Sequence, residues 1–273
     1  MFHRFGSKVT LVERAPHLLQ HEDEDASKCV EELFEKEGIT LRLAAECISF
    51  APGPNDGVTV HVTCEHPEKD IHGSHVLLAM GRTPNTGDLG LEAAGVMLDK
   101  EGYIAVDDML RTNIPNIWAL GDCNHRGGFT HTAYNDYEII ADNRLDGATR
   151  RVTDRIDCRA TYTDPPLAVI GMTEKKIREK KIEYLVATRP MTKVSRAVEK
   201  GEPFGFMKAM VDAKTKRILG AAILGVGGDE AIHCILDTMY ADASYELITH
   251  AVHIHPTVSE LIPTLLESLK PAK

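Results

Sequence analysis

The chain has 273 residues, 43% of them hydrophobic and 26% charged, with a formal net charge of −10 at pH 7. That size and apolar content can bury substantial cores and is long enough for two domains, while the acidic balance repels nucleic acid and anionic membrane surfaces and leaves a small molecule as the expected partner. No apolar run approaches the ~20 residues that cross a bilayer, and residues 1–8 carry no apolar signal core, so no membrane association is expected and the cytoplasm is the default compartment.

In chain order, Lys8 to Glu13 reads as a short apolar strand ending in an acidic residue. Asp23 to Gly38 follows as a helix, with Cys29, Val30, Leu33 and Phe34 at helical spacing and a glycine suited to a left-handed cap. Ile39 to Leu43 resumes as a strand. Cys47 to Phe50, the alternating Val58 to Cys64 and Ser74 to Met80 read as further strands around the turn-rich 52–57 segment. Beyond Gly81 loops dominate, with short strands predicted at Tyr103 to Val106 and Asn116 to Leu120 and a helix at Tyr134 to Leu145. In the last segment Leu167 to Gly171, Glu183 to Thr188, Gly205 to Val211 and Ile218 to Gly225 read as strands. Glu230 to Ala243 and Pro256 to Leu269 read as helices there. An α/β unit is thus followed by an α+β module.

Several residues could carry chemistry. Glu13 ends a strand where a carboxylate can accept hydrogen bonds from both hydroxyls of an adenosine ribose, which favours NAD over NADP, although a strand-ending glutamate is usually a solvated edge and Arg14 leaves the choice open. Gly81, in Ala79-Met80-Gly81-Arg82-Thr83-Pro84-Asn85, lets backbone approach a ligand, although on spacing alone an ordinary strand-ending turn is the favoured explanation. Gly121 and Asp122 close the run from Thr112, placing an aspartate suited to polyol hydroxyls just beyond a buried strand. His255 precedes Pro256, with Glu260 about one helical turn on. If the chain folds back at the proline, the carboxylate can hold one ring nitrogen and leave the other to exchange a proton. The six cysteines (29, 47, 64, 123, 158 and 234) form no close pair, so isolated reduced thiols are expected and no metal site is encoded.

The motif at 81–85 and the run from Thr112 to Asp122 resemble the class I pyridine nucleotide-disulfide oxidoreductases, which include dihydrolipoyl dehydrogenase, glutathione reductase and mercuric reductase. Residues 161–174, 205–208 and 218–225 are similar to that family's interface domain, and 253–260 to its histidine motif, so the resemblance covers essentially the whole chain. It implies a partial Rossmann-like NAD(P)-binding domain at 1–82, the second part of an FAD-binding domain at 83–156 and an α+β dimerisation domain at 157–273. It also implies that Glu13 and Gly81 serve NAD or NADP, that Gly121 and Asp122 hold the ribityl chain of FAD, and that Thr130 and His131 offer backbone groups to the flavin ring. His255 and Glu260 would be catalytic, managing protons at a thiol of the other subunit of a homodimer. Residues 129–142 and 191–197 are most similar to mercuric-reductase-like and reactive-chlorine-resistance reductases.

Relative to that family, an amino-terminal flavin fold, the Cys-x4-Cys pair and the first strand and glycine turn of the nicotinamide domain are not found. Half a nucleotide site offers few phosphate-binding amides. The expectation is therefore an FAD-dependent NAD(P)H oxidoreductase acting on a disulfide, thiol or metal ion, in which this polypeptide alone holds FAD weakly and lacks turnover. The absence of paired cysteines near Lys273 argues against mercury as the acceptor. The alternative is a non-catalytic dimerising or nucleotide-binding remnant; a third, less favoured option is an NADH oxidase or peroxidase working through one cysteine.

Overall fold

The structure, a computed structural model, describes residues 1–46, 48–63 and 68–272. Cys47 and Cys64, at the ends of two predicted strands, lie outside the described residues. The chain divides into two compact units, residues 1–76 with 156–273, and residues 77–155.

In the first unit β1 (Thr10–Val12) and β2 (Thr40–Arg42) pair in parallel across the helix α1 (Glu24–Lys36). Parallel strands need such a crossover, and α1 supplies it by burying Ala26, Val30 and Leu33, three positions on one helical stripe. The helix stops at Gly38, whose φ of 86° lets Ile39 N–H reach back 2.9 Å to Phe34 O. Then β3 (Ile48–Pro52), β4 (Val58–Val62) and β5 (Asp70–Gly73) form an antiparallel sheet in that order. The strand predicted at Ser74 to Met80 does not form. Its apolar run, Val76 to Met80, is real, but no described strand pairs with it, and Leu77, Leu78 and Met80 stand exposed.

The second unit is built mainly of turns, with α2 (Leu91–Ala94) and α3 (Thr130–Leu145). Val96, Ile104 and Ala119 make its small core. The strands predicted at 103–106 and 116–120 reduce to single bridges, Leu98 to Ile104 and Arg111 to Trp118. Helix α3 begins four residues earlier than its apolar spacing predicts, because Phe129 N–H donates to Thr132 Oγ1 (3.2 Å) and that hydroxyl returns a bond to Phe129 O (2.8 Å).

The chain then re-enters the first unit. It adds β6 (Cys158–Thr161), β7 (Leu167–Gly171), α4 (Glu174–Glu179), β8 (Tyr184–Pro190), α5 (Ser195–Glu199), β9 (Phe206–Asp212) and β10 (Ile218–Leu224). After these come α6 (Gly228–Ala231), α7 (His233–Tyr240), α8 (Glu246–Thr249), α9 (Leu261–Glu267) and β11 (Lys270–Pro271). The six strands form one antiparallel sheet, ordered β11-β8-β9-β10-β7-β6.

Both faces of that sheet are covered, which is why β7, β9 and β10 read as continuous apolar runs. Ala168, Ile170, Met207, Ala209 and Ile223 pack with Ile235, Ile262 and Leu265 of the helices, whereas Leu167, Val169, Phe206 and Leu224 pack with Val30 of α1. Ile223, Ile235, Ile262 and Leu265 are fully enclosed, and each contributes about 1.5–3 kcal/mol of burial. Gly205 cannot be replaced cheaply: its φ is 103° and an added Cβ would lie 2.0 Å from Leu224 O.

Candidate functional site

Two constellations of polar residues stand out. In the first unit His255 Nδ1 lies 2.8 Å from Glu260 Oε2. The Glu260 side chain is 14% exposed and the His255 ring 72% exposed, so the carboxylate is tucked in and the imidazole presented outward. An ionised carboxylate only accepts, so Nδ1 carries the proton and the neutral ring leaves Nε2 as its free base nitrogen. The helix predicted from Pro256 starts only after Glu260. The reason is local: Thr257 Oγ1 donates to Ile254 O (2.8 Å) and accepts from Glu260 N–H (3.2 Å), offering the backbone an alternative to helix. This turn, which contains a cis His255–Pro256 bond, brings the two side chains together.

In the second unit Gly121 (φ 78°) opens a single 3-10 turn, Asp122–Asn124. Asp122 Oδ2 lies 3.2 Å from Arg82 Nη1, and the same guanidinium nitrogen donates to Gly128 O at 3.1 Å. Arg82 directly follows Gly81, which has a φ of 114° and open space where a Cβ would sit. Thr130 and His131 form the first turn of α3, where helix amides point outward from the amino-terminus. The His131 ring stacks on Phe129 with centroids 5.1 Å apart. Arg82 and Gly128 thereby tie the Gly81 loop, the Asp122 turn and the entrance of α3 into one cluster.

Glu13 stands apart, just past the end of β1. Its backbone continues the ladder, with Glu13 N–H donating to Arg42 O at 2.9 Å, and Oε1 accepts from Ala15 N–H at 2.8 Å. One carboxylate oxygen is thus committed to the local turn, and the other can face a ribose.

Two residues that hold the second cluster were not singled out from sequence. Asp136 is buried in α3, where its Oδ2 accepts from Gly121 N–H and Asn124 Nδ2, each at 2.8 Å. Arg155 donates to its other oxygen. The available signal was spacing: Asp136 lies three residues before the buried Ile139, on the same stripe.

The described thiols are poorly suited to redox work. Burial pushes Cys29 and Cys234 up to about 11 and also raises Cys123 and Cys158, so all four remain protonated near neutrality. Among the described residues no group of three or more His, Cys, Asp and Glu is arranged to hold a metal ion, and no helix is long and apolar enough to cross a membrane.

The profile of the pyridine nucleotide-disulphide oxidoreductases matches residues 1–136, and that of the same family's dimerisation domain matches residues 158–266. The chain belongs to this family. Among the pyridine nucleotide-disulphide oxidoreductases it is 34% identical over 271 residues to the probable pyridine nucleotide-disulfide oxidoreductase RclA of Escherichia coli, covering 99% of this chain and 60% of RclA. It is 34% identical over 266 residues to the dihydrolipoyl dehydrogenase of Mycobacterium tuberculosis H37Rv, covering 97% and 57%. It is also 30% identical over 262 residues to the mercuric reductase of Streptomyces lividans, covering 96% and 55%. The solved structure of RclA, described as an HOCl-induced flavoprotein disulfide reductase, superposes with a TM-score of 0.91 over 98% of this chain and 61% of RclA. The chain therefore spans about 60% of the length of the relatives it matches.

Proposed function

We propose that this chain supplies the nicotinamide-ribose, flavin-ribityl and dimerisation portions of an FAD-dependent NAD(P)H oxidoreductase whose acceptor is a disulfide, a thiol or a metal ion. The domains divide at 1–82, 83–156 and 157–273. The observation that carries the reading is the His255–Glu260 pair, an outward-facing imidazole braced at 2.8 Å by a largely buried carboxylate.

The residues present fit the cofactors. Asp122, 57% exposed on a turn opened by a left-handed glycine, can accept from the ribityl hydroxyls of FAD, and the first amides of α3 at Thr130 and His131 can donate to the flavin ring. Bound FAD supplies two-electron transfer between a nicotinamide and the acceptor. Glu13 can hold an adenosine ribose and, as a carboxylate, favours NAD over NADP; in the second unit, the open space at Gly81 leaves its backbone accessible to a ligand. His255 Nε2 takes a proton from a thiol and returns it, and Glu260 offsets the positive charge on the ring. Val252 and Ile254, fully and 80% exposed beside His255, are the apolar surface that a second copy would cover in a homodimer.

The test is a flavin-fluorescence titration of the purified chain with FAD, combined with sedimentation. The expected result is a dimer whose weak flavin binding falls further in Asp122→Ala; a monomer that takes up no flavin overturns the reading. A second reading, a non-catalytic dimerising or nucleotide-binding protein, draws on the cysteines, none of which are spaced as Cys-x4-Cys. NADH-dependent thiol production from an added disulfide, absent in His255→Gln, favours the enzyme. Binding without turnover is the outcome expected of this chain alone under either reading; an in-frame glycine fingerprint and Cys-x4-Cys pair in the upstream coding sequence then favour the enzyme, and an immediate stop codon the second reading.

A further inference from the structure

We propose that Asp136 is a positioning residue that sets the flavin-facing geometry of Asp122 and locks it to the entrance of α3; the proposal rests on the reading of Asp122 as a flavin ligand. Asp122 itself is presented rather than anchored: among the described residues its side chain bonds to Arg82, whose own side chain is 72% exposed. Its placement is therefore fixed by its flanks, and both converge on one carboxylate. Gly121 N–H, immediately before it, and Asn124 Nδ2, two residues after it, each donate to Asp136 Oδ2 at 2.8 Å. Asn124 Nδ2 also donates to Ala119 O (3.0 Å), and Asn124 Oδ1 accepts from Arg126 N–H (2.8 Å), so the turn is held on both sides of Asp122.

The Asp136 side chain is only 2% exposed, and its charge is matched by Arg155, which also reaches Asn135 Oδ1 at 2.7 Å. A buried carboxylate has a large desolvation cost, and apolar residues of similar volume usually serve stability as well or better. What an apolar residue cannot do is accept two hydrogen bonds from a turn whose amide must point in one direction. Asp136 lies six residues into α3 from Thr130, about 9 Å along the helix axis. One rigid helix thus carries both the outward amides at Thr130 and His131 and the carboxylate that orients the Asp122 turn.

The experiment uses the intact chain with Asp136→Asn, and also Asn124→Ala, which leaves the Asp136–Arg155 pair in place should the first variant fail to fold. Amide hydrogen exchange is read at Gly121 and at Ile139, and FAD affinity is read by flavin fluorescence in wild-type and Asp122→Ala backgrounds. The expected result is Gly121 exchange at least tenfold faster with Ile139 unchanged. FAD affinity should be about tenfold weaker in the wild-type background, with no further loss once Asp122 is alanine. Unchanged Gly121 exchange overturns the proposal, and so does an equal loss of affinity in both backgrounds, which marks a purely structural role. If Asp122→Ala binds FAD like the wild type, or if the wild type binds none, the flavin reading falls and with it the functional half of the proposal; the exchange data still decide whether Asp136 orients the turn.

Discussion

Lys208 and Asp122 are both charged residues paired across long stretches of chain, yet they sit in opposite environments. The Lys208 side chain, on the α1-facing side of β9, is 4% exposed and meets Glu174 at 2.6 Å, Asp25 at 2.9 Å and Asp23 at 3.2 Å. Asp23 in turn accepts from Glu174 N–H at 2.9 Å, capping α4 from 151 residues away. Burial alone would raise the Glu174 carboxyl, but hydrogen bonds from Lys208 and Tyr184 outweigh it and bring it down to about 2. Burial alone would lower Lys208, and its bonds to Glu174 and Asp25 instead hold it well above the ordinary lysine value. The Asp122–Arg82 pair has both partners more than half exposed. Water replaces a lost partner there at little cost, so the pair is free to exchange for a ligand, whereas the Lys208 knot can only hold elements together.

The contrast can be broken or sharpened by substitution. Lys208→Met leaves Asp23 and Glu174 without their cation and should cost about 3–5 kcal/mol, read as a lower urea midpoint with unchanged slope. A variant as stable as the wild type would erase the distinction. Next in size is an acid limb. Because the folded Glu174 carboxyl lies at about 2, below its ordinary 4.5, its contribution is fully present above pH 4.5 and is lost as pH falls towards 2. Glu174→Gln should therefore lower stability at pH 7 and flatten that decline, as followed by urea denaturation across the same pH range. Asp122→Ala should leave the melt unchanged while weakening FAD binding by about tenfold, or about 1.4 kcal/mol. The smallest effect belongs to Arg82→Ala, whose stability should stay within about 1 kcal/mol of wild type.

Much of the architecture was legible because burial on both faces writes itself as continuous apolar runs. Leu167–Gly171 matches its predicted bounds, and β8, β9 and β10 fall within a residue or two of theirs. Short strands failed for a different reason. Residues 76–80 form the continuous apolar run of a buried strand, but pairing is a property of two segments, and no described strand pairs with them. The helix from Pro256 was overestimated because hydroxyl-to-backbone bonds at Thr257 compete with the helical ladder, and apolar spacing does not register them. In the second cluster, the motif drew attention to Gly121 and Asp122 but not to Asp136, whose role depends on a backbone amide 15 residues away.

Sequence alone thus determined the α/β and α+β character, the family, and the residue types able to do chemistry, since periodicity and ordered motifs are local and survive without coordinates. The tertiary structure decided which charges are buried and which are presented. Whether a carboxylate caps a distant helix, orients a turn or faces solvent depends on what packs around it, and that packing is set by residues far away in the chain.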